Sequence, residues 1–247
     1  MCSHLRVKKP FTLITGATSS LGSEIARRRA STDALLLHGR NVDELSALAN
    51  ELAKETEVKI WCRDFSDPAG LHTDLSKLLE DEAIQIRRVV HAAGYIKILP
   101  LRLFELEETI KIFNVNVLSI IEILRVLTRR EYRPHLHSVV FLSAFFSKFG
   151  DKGNAIYSSS KGALNSLIKG LAVEFLHIRF NALLLGAVRT KMTEHLFSNP
   201  DNNNRFSRYL LGAGQPDDVA NAVDFLLSDD LWMTGQEIFF DGGASVY

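Results

Sequence analysis

Short apolar segments alternate with longer amphipathic segments along almost the whole chain. A short apolar run predicts a buried strand, and a longer segment with apolar residues every three or four positions predicts a helix. The predicted strands are Phe11–Ile14, Ala34–His38, Val58–Cys62, Arg88–Ala92, Ser138–Leu142, Arg179–Leu184 and Glu237–Phe240. The predicted helices are Gly22–Ser31, Val42–Glu55, Leu71–Glu80, Glu105–Arg130, Tyr157–Leu176 and Asp217–Leu227.

This alternation predicts right-handed crossovers, and therefore an α/β fold with a doubly wound, mainly parallel seven-stranded sheet and helices on both faces. The 247 residues contain no internal repeat and no evident linker, so we expect a single domain over residues 1–247. The polar stretch Ser198–Arg205 is either a solvated surface loop or part of a segment, near residues 191–213, that covers a substrate pocket.

Composition excludes several classes of function. The 29 basic and 29 acidic side chains balance, so no broad field favours nucleic acid or an anionic membrane. No apolar run approaches the ~18 residues of a membrane span, and the first residues do not resemble a signal peptide. Cys2 and Cys62 are the only cysteines, which argues against a disulfide framework or a cysteine-rich metal site. We expect a cytoplasmic protein without a metal, nucleic-acid or membrane partner.

A glycine-containing loop, TGATSSLG, joins the first predicted strand to the first helix at Thr15–Gly22. Gly16 permits a sharp turn, and Gly22 lets the helix approach the sheet closely. The N–H groups and dipole at the start of the helix attract a pyrophosphate. This arrangement predicts a Rossmann-like dinucleotide site with contacts from Gly16, Thr18, Ser19, Ser20, Leu21 and Gly22.

The end of the second strand bears on which dinucleotide binds. An acidic residue at this place would accept hydrogen bonds from the adenosine ribose, but the chain has Gly39 followed by Arg40. A guanidinium suits a 2′-phosphate, so NADP(H) is favoured over NAD(H). The alternative is that Arg40 is only a solvated arginine before a helix.

Tyr157 and Lys161 are four residues apart and therefore share one face of a predicted helix. A tyrosine hydroxyl has a pKa of about 10. A neighbouring ammonium and a positively charged nicotinamide both stabilise the phenolate, which brings the hydroxyl towards the range useful for acid–base catalysis. Taken alone, such a pair also fits an ordinary surface helix.

Together these segments resemble the short-chain dehydrogenase/reductase family over about residues 8–245. Ser20 stands where the family's TGxxxGxG loop has its middle glycine, and Leu185 stands where the later PGxVxT segment has proline. The resemblance implies an oxidoreductase that interconverts a carbonyl and a secondary alcohol with NADP(H). It also implies a small-molecule substrate and a homo-oligomer, a tetramer or a dimer.

The resemblance implies further roles for individual residues. Asp64 and Phe65 would lie at the adenine, although Asp64 could equally be a turn former. Asn116 would hold a water in the proton relay, or else be a packing amide. His91 differs from the family's usual asparagine and is interpreted as a structural hydrogen-bonding residue. The remaining expected cofactor contacts are Ala92, Ala93, Gly94, Tyr157, Lys161, Gly186, Val188 and Thr190.

One position departs from the family more seriously. Members place a serine 13 residues before the tyrosine, where it donates to the substrate oxygen, and here that position is Ala144. Ser143 is adjacent, but neighbouring strand residues point to opposite faces. Losing one such donor typically costs about 10²–10³ in rate. The alternative function is therefore a catalytically impaired relative that acts as a nucleotide-binding sensor or an assembly subunit.

The sequence gives little information on the substrate. The C-terminal half is most similar to 3-oxoacyl-(acyl-carrier-protein) reductases, which makes a 3-oxoacyl group or a similar small ketone the first hypothesis. His135 and the connection around His177 replace the arginines that dock the carrier in those enzymes. Phe145 and Phe146 favour an apolar or flat substrate, unless they belong to the core.

Overall fold

The computed structural model describes residues 10–197 and 207–246. Within these ranges one sheet has the strand order β3-β2-β1-β4-β5-β6-β7, and every neighbouring pair is parallel. The predicted fold class is confirmed, and each predicted strand end is within two residues of the observed one. The strands are β1 (Phe11–Thr15), β2 (Ala34–Gly39), β3 (Val58–Cys62), β4 (Ile86–His91), β5 (Ser138–Ala144), β6 (Arg179–Leu185) and β7 (Glu237–Phe240).

The helices flank the sheet on both sides. They are α1 (Ser20–Ala30), α2 (Val42–Leu52), α3 (Leu71–Asp81), α4 (Leu106–Phe113), α5 (Ser119–Leu127), α6 (Ala155–Glu174), α7 (Glu194–Phe197) and α8 (Pro216–Leu227). Short 3₁₀ turns occur at Leu101–Leu103, Phe145–Ser147 and Ala244–Val246. None of the helices in the described ranges has both the length and the apolarity that a membrane span requires.

The predicted helix at Glu105–Arg130 is helical from Leu106 to Leu127, but it contains a π turn that the sequence does not predict. A π-helical turn, Asn114–Leu118, separates α4 from α5. Such a turn accommodates one residue more than an α-helical turn and often marks a functional site. Its central residue, Asn116, is fully buried and bonds to the chain after β4, as described below.

The core consists of two apolar layers, one on each face of the sheet. Successive strand residues point to opposite faces, so Leu13 packs into the layer under α3, α5 and α6, whereas Ile14 packs into the layer under α1, α2 and α8. Both side chains have no exposed surface. Strands buried on both faces explain why the sequence shows continuous apolar runs rather than a strict alternation.

The strand order reverses between β1 and β4. Crossovers from these two strands leave towards opposite sides of the sheet, which opens a crevice at the carboxyl ends of the strands. Gly16, which follows β1, has a φ of +65°, and a Cβ atom there would lie 2.8 Å from the backbone of Ala93 after β4. The crevice therefore begins where the two strand ends touch.

Part of the region predicted to cover a pocket is not described. The polar stretch Ser198–Arg205 lies outside the described residues, so the covering role of residues 191–213 stays a prediction. The described portion of that region contains α7 and the segment that leads into α8.

Gly22 is the residue whose size most directly limits how α1 meets the sheet. A Cβ atom there would lie 2.2 Å from the carbonyl oxygen of Gly16 and 2.8 Å from the Cα atom of Ala17. Gly22→Ala is expected to lower the free energy of unfolding by about 1–3 kcal/mol, the usual cost of overpacking. Urea denaturation measures this change. Gly170→Ala is the control, because nothing lies within 4 Å of its Cβ position in α6. It should stabilise by about 0.5–1 kcal/mol, and equal effects would contradict the packing argument.

Candidate active site

A cavity of about 490 Å³ occupies the crevice at the ends of the strands. This volume lies within the usual range of small-molecule sites. The structure brings almost all of the sequence-predicted site residues into its wall: Gly16, Thr18, Ser19, Ser20, Leu21, Arg40, Asp64, Phe65, Ala92, Ala93, Gly94, Tyr157, Lys161, Gly186, Val188 and Thr190. Gly22 lies beneath the loop against Gly16, and Asn116 is buried behind the wall.

The glycine-containing loop is closed by its own serines. Ser19 is the N-cap of α1, and its hydroxyl accepts a hydrogen bond of 3.0 Å from the N–H of Gly22. The hydroxyl of Ser20 accepts a 3.1 Å hydrogen bond from the N–H of Lys191, which follows β6. The serine that replaces the family's middle glycine thus links the loop to the opposite wall of the cavity.

Three charged residues surround the end of the cavity near β2. Arg40 is exposed at the rim, and Lys111 from α4, which the sequence reasoning missed, also lines the wall. Asp64 accepts a 2.8 Å hydrogen bond from the N–H of Ser66, as a turn former does, and its place at the adenine stays a prediction. Burial acts to raise the pKa of Asp64, but the hydrogen bonds from Ser66 and the charges of Arg40 and Lys111 outweigh it and lower the pKa.

His38, which was not predicted as a site residue, is hydrogen-bonded to the glycine-containing loop. Its Nδ1 accepts a 3.2 Å hydrogen bond from the N–H of Gly16, and its Nε2–H donates to the carbonyl of Arg63 over 2.9 Å. The ring stacks on Phe65 with a centroid distance of 3.7 Å. Burial lowers the pKa of His38 to about 3, so the ring is neutral. Apart from its place at a strand end, the sequence carries no signal of this role.

His91 is a structural hydrogen-bonding residue, as predicted. The N–H of Ala93 donates to the hydroxyl of Thr15 over 3.1 Å, and that hydroxyl lies 3.0 Å from Nδ1 of His91. The Nε2–H of His91 donates to the carbonyl of Asn116 over 3.1 Å. Burial lowers the pKa of His91 to about 3. A neutral ring therefore joins the ends of β1 and β4 to the π turn.

Tyr157 and Lys161 lie together on α6, at the end of the cavity opposite Arg40. The Nζ atom of Lys161 is 5.9 Å from the centre of the Tyr157 ring and donates a 2.8 Å hydrogen bond to the carbonyl of Leu142. Burial lowers the pKa of Lys161 to about 8 and raises the pKa of Tyr157 to about 12. Burial alone accounts for the raised tyrosine pKa, and a positive charge close to the hydroxyl would lower it.

The side chain of Asn116 is fully engaged within the protein. Its Oδ1 accepts a 2.7 Å hydrogen bond from the N–H of Tyr95, and its Nδ2 donates to the carbonyl of Tyr95 and to the hydroxyl of Ser160. The amide therefore fastens α4–α5 to the segment after β4 and to α6. This is the packing role that the alternative predicted, and a part for Asn116 in a water relay stays a prediction.

Ser143 and Ala144 both line the cavity, and the hydroxyl of Ser143 is bonded within the protein. The Ser143 hydroxyl donates to Oδ1 of Asn165 on α6 over 2.7 Å. The Nδ2 of Asn165 donates in turn to Ser147, whose hydroxyl donates to the carbonyl of Ala144. This network holds the end of β5 against α6 and uses the Ser143 hydroxyl for packing.

The walls near Tyr157 are mostly apolar. Phe145 is fully buried and stacks on Phe149, with ring centres 4.5 Å apart, so it belongs to the core. Phe146 lines the cavity, as one of the two sequence hypotheses expected. The cavity wall also contains residues that were not predicted from the sequence: Ile96, Ile98, Asn154, Leu185, Met192, Phe197 and Tyr209.

Comparison with known proteins agrees with this geometry. Residues 16–245 match the family model described as enoyl-(acyl carrier protein) reductase. The chain belongs to the short-chain dehydrogenase/reductase family. A cyclopentanol dehydrogenase from a Comamonas species is 32% identical over 96% of the chain and 98% of its own length. A 3-oxoacyl-(acyl-carrier-protein) reductase from Thermotoga maritima is 27% identical over 98% of the chain and 100% of its own length.

A solved structure of another protein has the same fold. The gluconate 5-dehydrogenase from Burkholderia cenocepacia, in complex with NADP and tartrate, superposes with a TM-score of 0.88 at 23% identity. The alignment covers 98% of this chain and 97% of that one. At this identity the likeness establishes the short-chain dehydrogenase/reductase fold.

The two buried histidines predict acid sensitivity. Their folded pKa of about 3 lies below the value of about 6.5 in an unfolded chain, so unfolding takes up protons between these values. The contribution of each neutral histidine to the free energy of unfolding is fully present above pH 6.5. It is lost as the pH falls towards 3, by up to about 1.4 kcal/mol per pH unit for each histidine. Urea denaturation from pH 7 to pH 5 measures this slope. His91→Asn should reduce the slope by about one proton, and an unchanged slope would contradict a neutral His91.

Proposed function

We propose that the protein is an NADP(H)-dependent oxidoreductase that interconverts a carbonyl and a secondary alcohol. The observation that carries this proposal is the position of Tyr157 and Lys161 in the same cavity as the glycine-containing loop and Arg40. A cavity with a phosphate-binding loop at one end and an acid–base pair at the other suits a dinucleotide whose reactive ring meets a small substrate.

The residues of the cavity fit a nicotinamide cofactor. Gly94 leaves room beside the reacting pair, because a Cβ atom there would lie 3.6 Å from the Nζ atom of Lys161. Gly186 is packed so closely that a Cβ atom would lie 2.7 Å from Asp241, so the backbone after β6 forms this part of the wall. When bound, NADPH supplies the hydride that adds to the carbonyl carbon.

The proton then comes from the protein. As the carbonyl oxygen gains negative charge, the Tyr157 hydroxyl donates its proton to that oxygen, which gives the alcohol and a phenolate. The ammonium of Lys161 stabilises this phenolate, and a proton from solvent restores the hydroxyl. The sum is carbonyl, NADPH and one proton to alcohol and NADP⁺. In the reverse direction the phenolate accepts the hydroxyl proton of the alcohol.

The charge of the rim supports a preference for NADP(H). Arg40 and Lys111 place two cations beside the end of β2, where no carboxylate occupies the position that would accept from a ribose. A 2′-phosphate matches this charge, whereas a ribose without the phosphate gains nothing from it. The NADP held by the gluconate 5-dehydrogenase neighbour agrees with this preference.

The apolar wall supports a small uncharged ketone as substrate. Phe146, Leu185 and Tyr209 border the space beside Tyr157, and such side chains accommodate alicyclic or aromatic groups. By analogy with the cyclopentanol dehydrogenase relative, cyclopentanone is the first substrate to try. The 3-oxoacyl thioesters suggested by the sequence form the second group of the panel.

One observation favours the second candidate function. Ala144 offers no hydroxyl to the substrate, and the Ser143 hydroxyl is bonded to Asn165. A relative with impaired catalysis that binds the nucleotide as a sensor or an assembly subunit would tolerate both features. The homo-oligomeric state, the single-domain organisation and the cytoplasmic location remain predictions from the sequence.

Cofactor preference is tested by fluorescence titration with NADPH and NADH. The wild-type protein is expected to bind NADPH at least tenfold more tightly than NADH. Arg40→Gln should weaken NADPH binding by about 10–100-fold, the loss expected for a hydrogen bond to a charged group, and should leave NADH binding unchanged. Arg130→Gln, an exposed substitution outside the cavity, is the matched control. Equal loss for both nucleotides would contradict recognition of the 2′-phosphate.

Turnover is tested by NADPH consumption with cyclopentanone, other cyclic ketones and 3-oxoacyl thioesters. The wild-type protein is expected to reduce at least one ketone, and Tyr157→Phe should slow that reaction by about 10²–10⁴-fold because the general acid is lost. NADPH affinity should be unchanged in the variant. Tight NADPH binding without turnover of any substrate would favour the sensor or assembly subunit, and full activity of Tyr157→Phe would refute the proposed mechanism.

A further inference from the structure

Asn154 carries a buried amide that the fold does not use. The residue precedes α6, is 1% exposed and lies in the wall of the cavity. Neither its Nδ2 nor its Oδ1 has a hydrogen-bond partner among the described residues. Its backbone is well held, since its N–H donates to Asp151 and its carbonyl accepts from Ser158. The conformation of the chain is therefore fixed without the side-chain amide.

An unpartnered buried amide needs an explanation. Burying a polar group without a partner costs free energy, and folded proteins contain few such groups. An asparagine before a helix usually accepts from the first turn, but Asn154 makes no side-chain capping bond. Asn165 on the same helix shows the contrast, because both of its amide atoms are bonded, to Ser143 and Ser147.

Asn154 lies in the part of the protein where a hydrogen-bond donor to the substrate is missing. Asn154 and Tyr157 are three residues apart at the start of α6 and so lie on the same side of its first turn. Ala144 at the end of β5 lines the same cavity and has no polar side-chain atom. The cavity wall thus contains an unpaired amide as well as Ala144, which stands where the family resemblance implies a serine.

The amide is covered rather than open to solvent. Ile98 and Leu99 pack on Gly153, where a Cβ atom would lie 2.9 Å from Ile98, and the N–H of Leu99 donates to the carbonyl of Gly153. Ile98 itself lines the cavity.

We infer that Asn154 binds the substrate oxygen and supplies the hydrogen bond that Ala144 cannot. Nδ2–H donates to the carbonyl oxygen while Tyr157 delivers the proton, so two donors meet the developing negative charge. Because the amide is neutral, it suits an uncharged ketone rather than a carboxylate, in agreement with the apolar wall. This inference rests on the proposed oxidoreductase function.

The first test compares Asn154→Ala with Asn165→Ala. In Asn154→Ala, turnover of the best ketone of the panel should fall by about 10²–10³-fold, with unchanged NADPH affinity. Its Tm should stay within about 3 °C of the wild-type value because no hydrogen bond is lost, whereas Asn165→Ala should lose about 4 °C or more. Wild-type turnover in Asn154→Ala would overturn the inference, as would a loss of stability as large as that of Asn165→Ala.

A second test asks whether the two positions share one role. Ala144→Ser should accelerate Asn154→Ala at least tenfold more than it accelerates the wild-type protein, because it restores the missing donor only where none remains. Equal acceleration in both backgrounds would mean that the positions act independently and would overturn the inference.

A binding measurement separates this inference from the proposed function. The probe is 2-pyrrolidinone, a cyclic amide whose carbonyl is not reduced, titrated into the NADP⁺-loaded protein by calorimetry. The wild-type protein should bind it at least tenfold more tightly than Asn154→Ala does. Equal affinity, or no binding to the wild-type protein, would overturn the role of Asn154 even if ketones are reduced. Weaker binding to the variant supports that role even if the panel contains no substrate.

Discussion

The reversal of strand order between β1 and β4 is the constraint on which the rest of the structure depends. It places the ends of two adjacent strands in contact, with Gly16 against Ala93, and opens the crevice beside them. The hydroxyl of Thr15 and the neutral ring of His91 connect these ends to the carbonyl of Asn116. One chain of hydrogen bonds therefore fixes the glycine-containing loop and the helix behind Tyr157 and Lys161 at the same time.

Much of this architecture is predictable because it depends on periodicity and on chain geometry. Buried strands require apolar runs, and the glycine-containing loop requires a small residue at Gly22, so both leave a trace in the sequence. The roles of His38 and Asn154 leave no such trace. Each depends on which partner the fold brings near the side chain, and that partner is remote in sequence or, for the amide of Asn154, missing among the described residues.

The end of β5 shows how the same residue types can serve packing or chemistry. Both Ser143 and Ala144 line the cavity, but the hydroxyl of Ser143 donates to Asn165 on α6. The hydroxyl that is one position away in sequence is thus engaged by the scaffold. The Ser143 hydroxyl lies within hydrogen-bond distance of Oδ1 of Asn165 and of the carbonyl of Lys161, which makes that serine part of the scaffold.

The π turn at Asn114–Leu118 sets the rotational phase between the two helices that it joins. An α-helix advances about 100° per residue, so the additional residue rotates α5 by about that angle relative to a continuous helix. Ile120, Ile123 and Leu127 face the sheet in this phase, while Asn116 faces Tyr95 and α6. Deleting one residue from the π turn would rotate either the apolar face of α5 away from the sheet or the amide of Asn116 away from Tyr95 and α6. The contacts of these two faces therefore fix the length of the π turn.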